Sequence, residues 1–233
     1  VYEKDFAVEY KDDKSPLTEA DCLSHERITK GLAALDSSIP ILSEEGKNIP
    51  YEKRSNWSRF WLVDPIDGTK EFVKRNGEFT VNIALIEQGY PTLGVIYVPV
   101  TDVMYYGEAG KEAVKIASGS MAQTLAVRKP ESGAITIVES RSHPSPELES
   151  FMSELQQKYS SIDRISKGSS LKFCAVAEGS AHLYPRMGPT MEWDTAAGQA
   201  IVEAAGGSVK WLNGERVHYN EEILRNDFFI VGS

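Results

Sequence analysis

Cysteine is scarce in this sequence, and neither copy lies in a metal-binding pattern. Cys22 and Cys174 are the only two cysteines among 233 residues, and they are far apart in the chain. Neither belongs to a Cys-x-x-Cys motif or to a mixed cysteine and histidine ligand pattern, which argues against a disulfide framework and against a zinc site. We therefore expect the reducing cytoplasm as the compartment.

Long apolar runs are also absent from the sequence. None approaches the roughly 20 residues that a membrane span needs, and the start of the chain lacks the positive end and apolar middle of a signal peptide. We therefore expect no transmembrane segment, while peripheral association with a membrane is left open. The opening VYEKDFAVEYKDD has neither Met nor a helix start signal, which predicts that a further segment precedes it.

Basic residues are outnumbered by acidic ones. The chain has 25 Lys and Arg against 34 Asp and Glu, a formal net charge of -9. This balance disfavours nucleic acid polymers and anionic membrane surfaces as partners, because both would be repelled. A phosphate compound of low mass remains an acceptable partner if a metal ion mediates. With 41% hydrophobic residues, the chain is long enough to form one compact unit with a large core.

The first part of the chain combines one helix with short strands that end in carboxylates. The spacing of apolar residues predicts a helix over Thr18–Leu35, with Thr18 as N-cap and Asp21 as its capping-box partner. The apolar runs Ile39–Leu42 and Phe60–Val63 predict buried strands, which SEEG and DPIDGT follow. Functional residues of α/β proteins collect at such strand ends.

The rest of the chain changes from strands alone to alternating strands and helices. FTVNIALIE, TLGVIYVP, DVMYYGE, AVKIA and TLAVR predict an antiparallel meander between 79 and 128. ITIVES then opens a part with predicted helices at Pro146–Tyr159, Leu171–Glu178 and Thr195–Ala205. The fold class is therefore α+β or α/β with mixed layers. We expect an N-terminal half, 1–130, and a C-terminal half, 131–233, within one unit.

Asp64 and Asp67 are the centre of a predicted metal site. They flank Pro65 and Ile66, and a rigid proline turn would let both carboxylates converge. Glu44 and Asp194, from another strand end and a helix start, can complete a set of oxygen ligands suited to Mg²⁺.

The Gly68–Phe72 segment resembles a turn that runs into a helix, whose first N–H groups favour a phosphate beside the metal. Taken singly, DPIDGT is also compatible with an ordinary surface turn, and Asp194 with a structural N-cap.

Four motifs together resemble the inositol monophosphatase superfamily in order and spacing. They are DKSPLTEAD (13–21), SEEG (43–46), WLVDPIDGTKEF (61–72) and EWDTAAGQAIVEAAGG (192–207). The wording of DKSPLT, DGTKEFVKRNGEFTVNIALI and WDTAAG is most similar to the bacterial 3′(2′),5′-bisphosphate nucleotidases of that superfamily. The resemblance covers nearly the whole chain and implies a layered α-β-α-β-α fold and magnesium-dependent hydrolysis of phosphomonoesters.

The resemblance also implies roles for individual residues. It makes Mg²⁺ ligands, for two or three ions, of Glu44, Asp64, Asp67, Asp194 and the backbone carbonyl of Ile66. It makes Asp13 and Thr69 the pair that orients the attacking water. Taken singly, Asp13 is also compatible with a turn residue and Thr69 with a helix cap.

For the substrate, the resemblance implies contacts from both halves of the chain. The residues concerned are Gly68, Thr69, Lys70, His143, Ser169, Lys172, Arg186 and Asp194. Taken singly, a histidine in a turn or a lysine on a helix more often faces solvent.

The implied substrates are adenosine 3′,5′-bisphosphate and 3′-phosphoadenylyl sulfate, and the implied process is sulfur assimilation with sensitivity to lithium. An inositol monophosphatase or a sugar bisphosphatase is the alternative, which KEF after DGT and the KGSSLKF segment disfavour. A noncatalytic, metal-dependent nucleotide sensor is the alternative of another class, and a homodimer is left open.

Overall fold

The chain forms two large β-sheets with helices between and outside them. The computed structural model describes residues 1–3, 8–10, 16–131, 133–141 and 145–233. A small antiparallel pair, β1 (Val8–Tyr10) and β2 (Pro16–Thr18), precedes the first helix. Within the described residues no helix has the length and the apolar character that crossing a bilayer requires.

The first large sheet has seven strands that neighbour one another in chain order. They are β3 (Ile41–Ser43), β4 (Arg59–Asp67), β5 (Thr80–Glu87), β6 (Tyr90–Val98), β7 (Val103–Glu108), β8 (Val114–Ala117) and β9 (Gln123–Thr124). β3 and β4 run parallel, so their carboxyl ends meet at one edge. All later pairs are antiparallel, which confirms the predicted meander.

The second large sheet has five strands in mixed orientation. They are β10 (Ala134–Ser140), β11 (Ser161–Lys167), β12 (Leu183–Arg186), β13 (Ser208–Trp211) and β14 (Phe229–Gly232). Their order is β11-β10-β12-β14-β13, and β10 lies parallel to both of its neighbours. The two sheets thus use residues on either side of the predicted boundary near 130, and the division into halves stays a prediction.

The helices complete the layers. They are α1 (Glu19–Leu35), α2 (Tyr51–Arg54), α3 (Thr69–Val73), α4 (Pro146–Leu155), α5 (Leu171–Ala177) and α6 (Glu192–Ala204). α6 packs on β4 to β7 and on β13, and α5 packs on α6 and on β10, β12 and β14. α1 contacts β4, while α4 buries its apolar side chains against Ile135 and Ile137 of β10. The layered α+β architecture predicted from the sequence is therefore confirmed.

Two glycines let α6 approach the first sheet closely. Gly94 of β6 and Gly107 of β7 lie opposite each other in the register. A Cβ on Gly94 would lie 2.3 Å from the carbonyl oxygen of Ala197, and a Cβ on Gly107 would lie 2.5 Å from the Cα of Ile201. Any larger side chain would push α6 away from the sheet, since neither backbone can give way.

Several predicted boundaries are wrong by a few residues. α4 ends at Leu155 and not at 159, and the last strand is Gln123–Thr124, which shares only Thr124 with the predicted TLAVR. α6 begins at Glu192, three residues before the predicted start. The helix begins earlier because the Asp194 carboxylate accepts a hydrogen bond from the N–H of Met191, which completes the first turn.

Candidate active site

Asp64 and Asp67 lie on β4 itself, at its carboxyl end. The strand continues through both residues, so the tight turn predicted around Pro65 is wrong. An irregularity in the pairing with β5 separates them, since Asp64 lies opposite Asn82 and Asp67 opposite Thr80. The N–H of Ile66 donates to the Asp64 carboxylate at 3.0 Å, which bends the chain locally and brings both carboxylates to the same place.

Glu44 joins them from the neighbouring strand. The pairing of β3 with β4 continues in a hydrogen bond of 3.1 Å from the N–H of Glu44 to the carbonyl of Val63. This places Glu44 beside Asp64, and the two carboxyl groups share a hydrogen bond. Two parallel strand ends thus deliver their acidic residues to one edge, as the sequence predicted.

Asp194 reaches the same place from the start of α6. Met191 is the N-cap, so Asp194 is the third residue of the helix and the N-cap alternative is wrong. The N–H of Met191 donates to Oδ2 of Asp194 at 2.8 Å. Carboxylate oxygens of Asp64, Asp67 and Asp194 all lie within 4.8 Å of one another.

This crowding of carboxyl groups makes the ionised forms unfavourable. Burial raises the pKa of Asp64 well above its usual value, and the charges of Glu44, Asp67 and Asp194 raise it further. Burial, and then the charge of Asp67, raise the pKa of Asp194 to about 8. A cation would remove the repulsion. Oxygen donors in this number fit a hard divalent ion such as Mg²⁺, whereas a soft metal would favour sulfur or imidazole ligands.

A buried polar network holds the Asp67 carboxylate in place. The Ser170 hydroxyl lies 2.8 Å from Oδ2 of Asp67 and 3.0 Å from the carbonyl of Asp194. The amide of Asn82 donates to the Ser170 hydroxyl at 2.8 Å. Ser170 and Asn82 are each only 1% exposed. Ser170 therefore links the Asp67 carboxylate of β4 to the backbone of Asp194 in α6 through one atom, which fixes the separation of the two elements at this point.

The hydroxyl of Thr69 faces a second buried carboxylate, that of Asp21. The Oγ1 atom of Thr69 lies 3.4 Å from Oδ1 of Asp21 and 3.3 Å from the carbonyl of Ile66. The other oxygen of Asp21 accepts hydrogen bonds from the N–H and the hydroxyl of Thr18, at 2.7 and 2.6 Å. The predicted capping box is thus confirmed, and the same carboxylate also reaches the site.

Two of the predicted site residues, Asp13 and His143, lie outside the described residues. Their roles stay predictions. Asp21 is a residue that the sequence reasoning assigned to helix capping alone. The Thr-x-x-Asp spacing in the sequence indicates that Asp21 caps the helix. In the structure the carboxylate oxygen that is not used for capping lies near the Thr69 hydroxyl.

A cavity of about 260 Å³ opens beside the carboxylates and contains the remaining predicted residues. Its lining includes Glu44, Asp64, Ile66, Asp67, Gly68, Thr69, Lys70, Ser169, Lys172, Arg186 and Asp194. Gly68 has a φ of +88°, and a Cβ there would lie 2.1 Å from the Ser169 hydroxyl. Only glycine allows this approach of the two loops.

Two buried cations, Lys172 and Arg186, also line this cavity. Lys172 and Arg186 are 6% and 7% exposed. The ammonium group of Lys172 donates to the carbonyl of Ser169 and lies 5.5 Å from the ring centre of Tyr184. Burial lowers the pKa of Lys172 to about 8, although the charge of Asp67 opposes this shift. Nη2 of Arg186 donates to the carbonyl of Pro189 at 2.7 Å, while its buried Nε has no hydrogen-bond partner among the described residues.

Asn82 and Ser170 were also missed in the sequence, although both left a signal. Asn82 is the one amide within the apolar FTVNIALIE strand, where a buried polar side chain requires partners. Ser170 follows Ser169 in KGSSLKF, and of these two serines only Ser170 donates a hydrogen bond to the carboxylate of Asp67. The Ser169 hydroxyl instead donates to backbone carbonyls of Asp67 and Glu78, at 2.8 and 2.6 Å.

Comparison with known proteins identifies similar sequences and similar folds. The model of the inositol monophosphatase family matches residues 1–228. The 3′(2′),5′-bisphosphate nucleotidase CysQ of Salmonella typhimurium is 52% identical over 235 residues, which cover 99% of this chain and 92% of the relative. The enzyme of the same name from Escherichia coli K12 is 50% identical over 209 residues, which cover 90% of this chain and 81% of the relative.

Among solved structures, CysQ from Bacteroides thetaiotaomicron, described as a bacterial member of the inositol monophosphatase family, superposes with a TM-score of 0.86. It is 44% identical, and the match covers 96% of this chain and 86% of that structure.

Proposed function

The chain belongs to the inositol monophosphatase family, and from this premise we propose that it is a magnesium-dependent 3′(2′),5′-bisphosphate nucleotidase. It removes the 3′-phosphate of adenosine 3′,5′-bisphosphate, and the products are AMP and inorganic phosphate. 3′-Phosphoadenylyl sulfate is a second substrate, which gives adenylyl sulfate. The process served is sulfur assimilation.

One observation carries this proposal beyond family membership. A single cavity is lined both by the cluster of carboxylates and by the buried cations Lys172 and Arg186. The carboxylates suit a phosphate that a divalent ion bridges, and the two cations suit a phosphate that ion pairs hold directly. The buried Nε of Arg186, for which the described part of the chain offers no hydrogen-bond partner, is a donor that an anion would satisfy. A substrate with two phosphates would use both the carboxylates, through the metal, and the two cations.

Glu44, Asp64, Asp67, Asp194 and the carbonyl of Ile66 would hold the metal, for which we propose two or three Mg²⁺ ions. When bound, Mg²⁺ acidifies a water molecule and neutralises charge on the transferred phosphoryl group. Ser170 and Asn82 keep the Asp67 carboxylate in the orientation that such a ligand needs. Gly68, Thr69 and Lys70 line the same cavity, and their N–H groups would be donors for the phosphate that leaves.

Asp21 and Thr69 orient the attacking water. The Thr69 hydroxyl donates toward Asp21, which leaves its oxygen lone pairs free to accept a hydrogen bond from water. Because one oxygen of Asp21 is already held by Thr18, the other is fixed toward Thr69. This arrangement favours removal of a proton from the water as it attacks phosphorus. Asp13, the residue first predicted for this role, stays a second candidate.

The test is release of inorganic phosphate from three substrates with Mg²⁺ and with a chelator. Adenosine 3′,5′-bisphosphate should be hydrolysed with a higher kcat/KM than inositol 1-phosphate and fructose 1,6-bisphosphate, and chelation should abolish all release. A preference for inositol 1-phosphate or for the sugar bisphosphate would overturn the substrate assignment. Binding of the nucleotide without any release would instead support a sensor. The cytoplasmic location and the homodimer stay predictions.

A further inference from the structure

Glu78 connects three loops around the cavity. Its carboxylate accepts two hydrogen bonds from the guanidinium of Arg141, both at 3.0 Å, and one from the N–H of Gly168 at 2.9 Å. Glu78 precedes β5 in the first sheet, whereas Arg141 follows β10 and Gly168 follows β11 in the second sheet. One side chain thus joins the two sheets at the edge where Arg141 and Gly168 line the cavity.

The bond to Gly168 is the start of a chain of contacts that ends at Lys172. Ser169, the next residue, places its hydroxyl between the carbonyls of Glu78 and Asp67. The carbonyl of Ser169 in turn accepts the hydrogen bond from the Lys172 ammonium. The position of this cation relative to the carboxylates therefore depends on how the 168–169 loop is held.

The loop is fitted closely against Glu78. A Cβ on Gly168 would lie 2.7 Å from the carbonyl oxygen of Glu78, and Ser169 has a φ of +46°, which a serine rarely adopts. A left-handed serine persists only where its surroundings hold it. Here the hydrogen bond from Gly168 to the Glu78 carboxylate supplies part of that restraint, and the bond from Ser169 to the backbone carbonyl of Glu78 supplies the rest.

We infer that Glu78 is a positioning residue that sets the distance between the metal-binding carboxylates and the Lys172 ammonium group. Through this distance it sets the preference for substrates with two phosphates over substrates with one. This inference rests on the proposed function. The side chains of Arg141 and Glu78 are 52% and 19% exposed, and an ion pair whose cation lies largely in solvent contributes little to the free energy of unfolding. The effect of losing Glu78 should therefore appear more in substrate preference than in stability.

The experiment compares adenosine 3′,5′-bisphosphate with adenosine 3′-monophosphate, both with Mg²⁺, for the unsubstituted protein and Glu78→Gln. The KM for the bisphosphate should rise about 10-fold to 100-fold, because a loop displaced by a fraction of an ångström misplaces Lys172. The kcat for both substrates, the KM for the monophosphate and the Mg²⁺ concentration for half-maximal activity should change less than twofold. The inference is tested by the ratio of kcat/KM for the bisphosphate to kcat/KM for the monophosphate, which should fall in Glu78→Gln.

Glu203→Gln is the matched control. Glu203 also accepts two bonds from one guanidinium, that of Arg216, at 2.9 and 2.7 Å, with similar exposure of both side chains. Arg216 is not among the residues that line the cavity, whereas Arg141 is. Substitution of Glu203 should leave the ratio unchanged. Arg141→Lys is the second variant and should lower the ratio less than Glu78→Gln, because it leaves both carboxylate oxygens of Glu78 available to Gly168 and the new ammonium, whereas the amide of Gln has one acceptor oxygen.

The outcomes separate this inference from the proposed function. If the unsubstituted protein releases no phosphate from the bisphosphate, the proposed function is wrong and the inference with it. If it releases phosphate but Glu78→Gln leaves the ratio unchanged, or lowers it no more than Glu203→Gln does, the inference alone is overturned. Should Glu78→Gln fail to fold, an unchanged ratio in Arg141→Lys overturns it equally.

Discussion

Asp64 illustrates how a residue that weakens the metal-free fold can be retained for its role in binding. Its side chain is 1% exposed and lies among three other acidic groups, so its ionised form is costly without a cation. Burial raises its pKa well above the usual value, and the proton that it then holds competes with a metal ion. Metal affinity should therefore increase with pH.

Replacement of Asp64 by Asn tests its role as a ligand. The amide keeps the shape and can still accept the hydrogen bond from Ile66, but it supplies no negative charge. Removal of a residue that only hydrogen-bonds to a metal ligand typically lowers metal affinity or activity by about 10–100-fold. Loss of a ligand itself should therefore lower kcat/KM by at least about 100-fold. Calorimetric titration should show weaker Mg²⁺ binding, and a near-normal rate would contradict the assignment.

Thr69 is predicted to act on water and not on the metal. Thr69→Val keeps the branched shape and removes the hydroxyl that faces Asp21. The kcat should fall about 100-fold or more, which is the usual contribution of a group that assists proton transfer. Magnesium affinity should stay within twofold, and Thr69→Ser should retain most of the activity. If kcat and Mg²⁺ affinity fell by the same factor, Thr69 would be a metal ligand and not a residue that orients water.

At the scale of elements, the site depends on how closely α6 lies on the first sheet. Gly94 and Gly107 remove two side chains from the sheet surface, so the helix that starts beside Asp194 rests on bare backbone. This contact involves none of the carboxylates, yet it sets the distance between α6 and the strands of the first sheet. Metal affinity should thus be sensitive to a packing change remote from every ligand.

Gly94→Ala tests this dependence. Its new methyl group would meet the Ala197 carbonyl at 2.3 Å, so α6 must shift, and overpacking of this kind costs about 1–3 kcal/mol. Thermal unfolding should show a lower Tm and calorimetry a weaker affinity for Mg²⁺. Gly31→Ala in α1, where a Cβ meets nothing within 4 Å, is the control and should raise the stability by about 0.5–1 kcal/mol. An unchanged Mg²⁺ affinity in Gly94→Ala would show that α6 is not set by this contact.

The sequence predicted the elements better than their ends, for a physical reason. Apolar periodicity and strand-end carboxylates identified β3, β4, the meander and α6, since burial of one face requires those patterns. The path of the chain through Asp64 and Asp67 was wrong because an irregularity in the pairing with β5, not a proline turn, brings them together. Nothing local in the sequence marks that irregularity.

The side-chain partnerships within the site were the least predictable part. Glu44, Thr69, Lys172 and Arg186 were predicted to lie around one site, and all four line the same cavity. The contact of Ser170 with Asp67 spans 103 positions and that of Asn82 with Ser170 spans 88. Such pairs arise only after both sheets have packed, so no spacing within one motif could show them.

For the whole molecule, the raised pKa of Asp194 makes the stability of the metal-free protein depend on pH. The group titrates near 3.8 when unfolded and at about 8 when folded, so the folded state binds more protons between these values. The free energy of unfolding therefore falls as pH rises from 5 to 8, by at most about 1.4 kcal/mol per pH unit for this one group.

Scanning calorimetry at pH 5, 6, 7 and 8 with a chelator checks this prediction. The Tm should fall with pH by roughly 2–4 °C per kcal/mol. Saturating Mg²⁺ should lessen the slope, because the Asp194 carboxylate is then ionised in both states, while Glu192, whose pKa burial raises to about 7, still contributes. At 100 times its dissociation constant, Mg²⁺ should add about 2.7 kcal/mol. Asp194→Asn should flatten the metal-free slope. A metal-free Tm that rises with pH over this range would contradict the crowded, protonated site.

The packing of α6 on Gly94 and Gly107 also has a consequence during synthesis of the chain. β7 ends at Glu108, whereas α6 begins at Glu192. At about 5–20 residues per second, a ribosome needs roughly 4–17 seconds to deliver the helix after the strands that it covers. For that interval Phe60, Leu62 and Ile96, which are fully buried in the finished protein, lack the helix that packs on their sheet. The nascent protein is therefore most prone to aggregation in this window, and a chain terminated before Glu192 would never leave it.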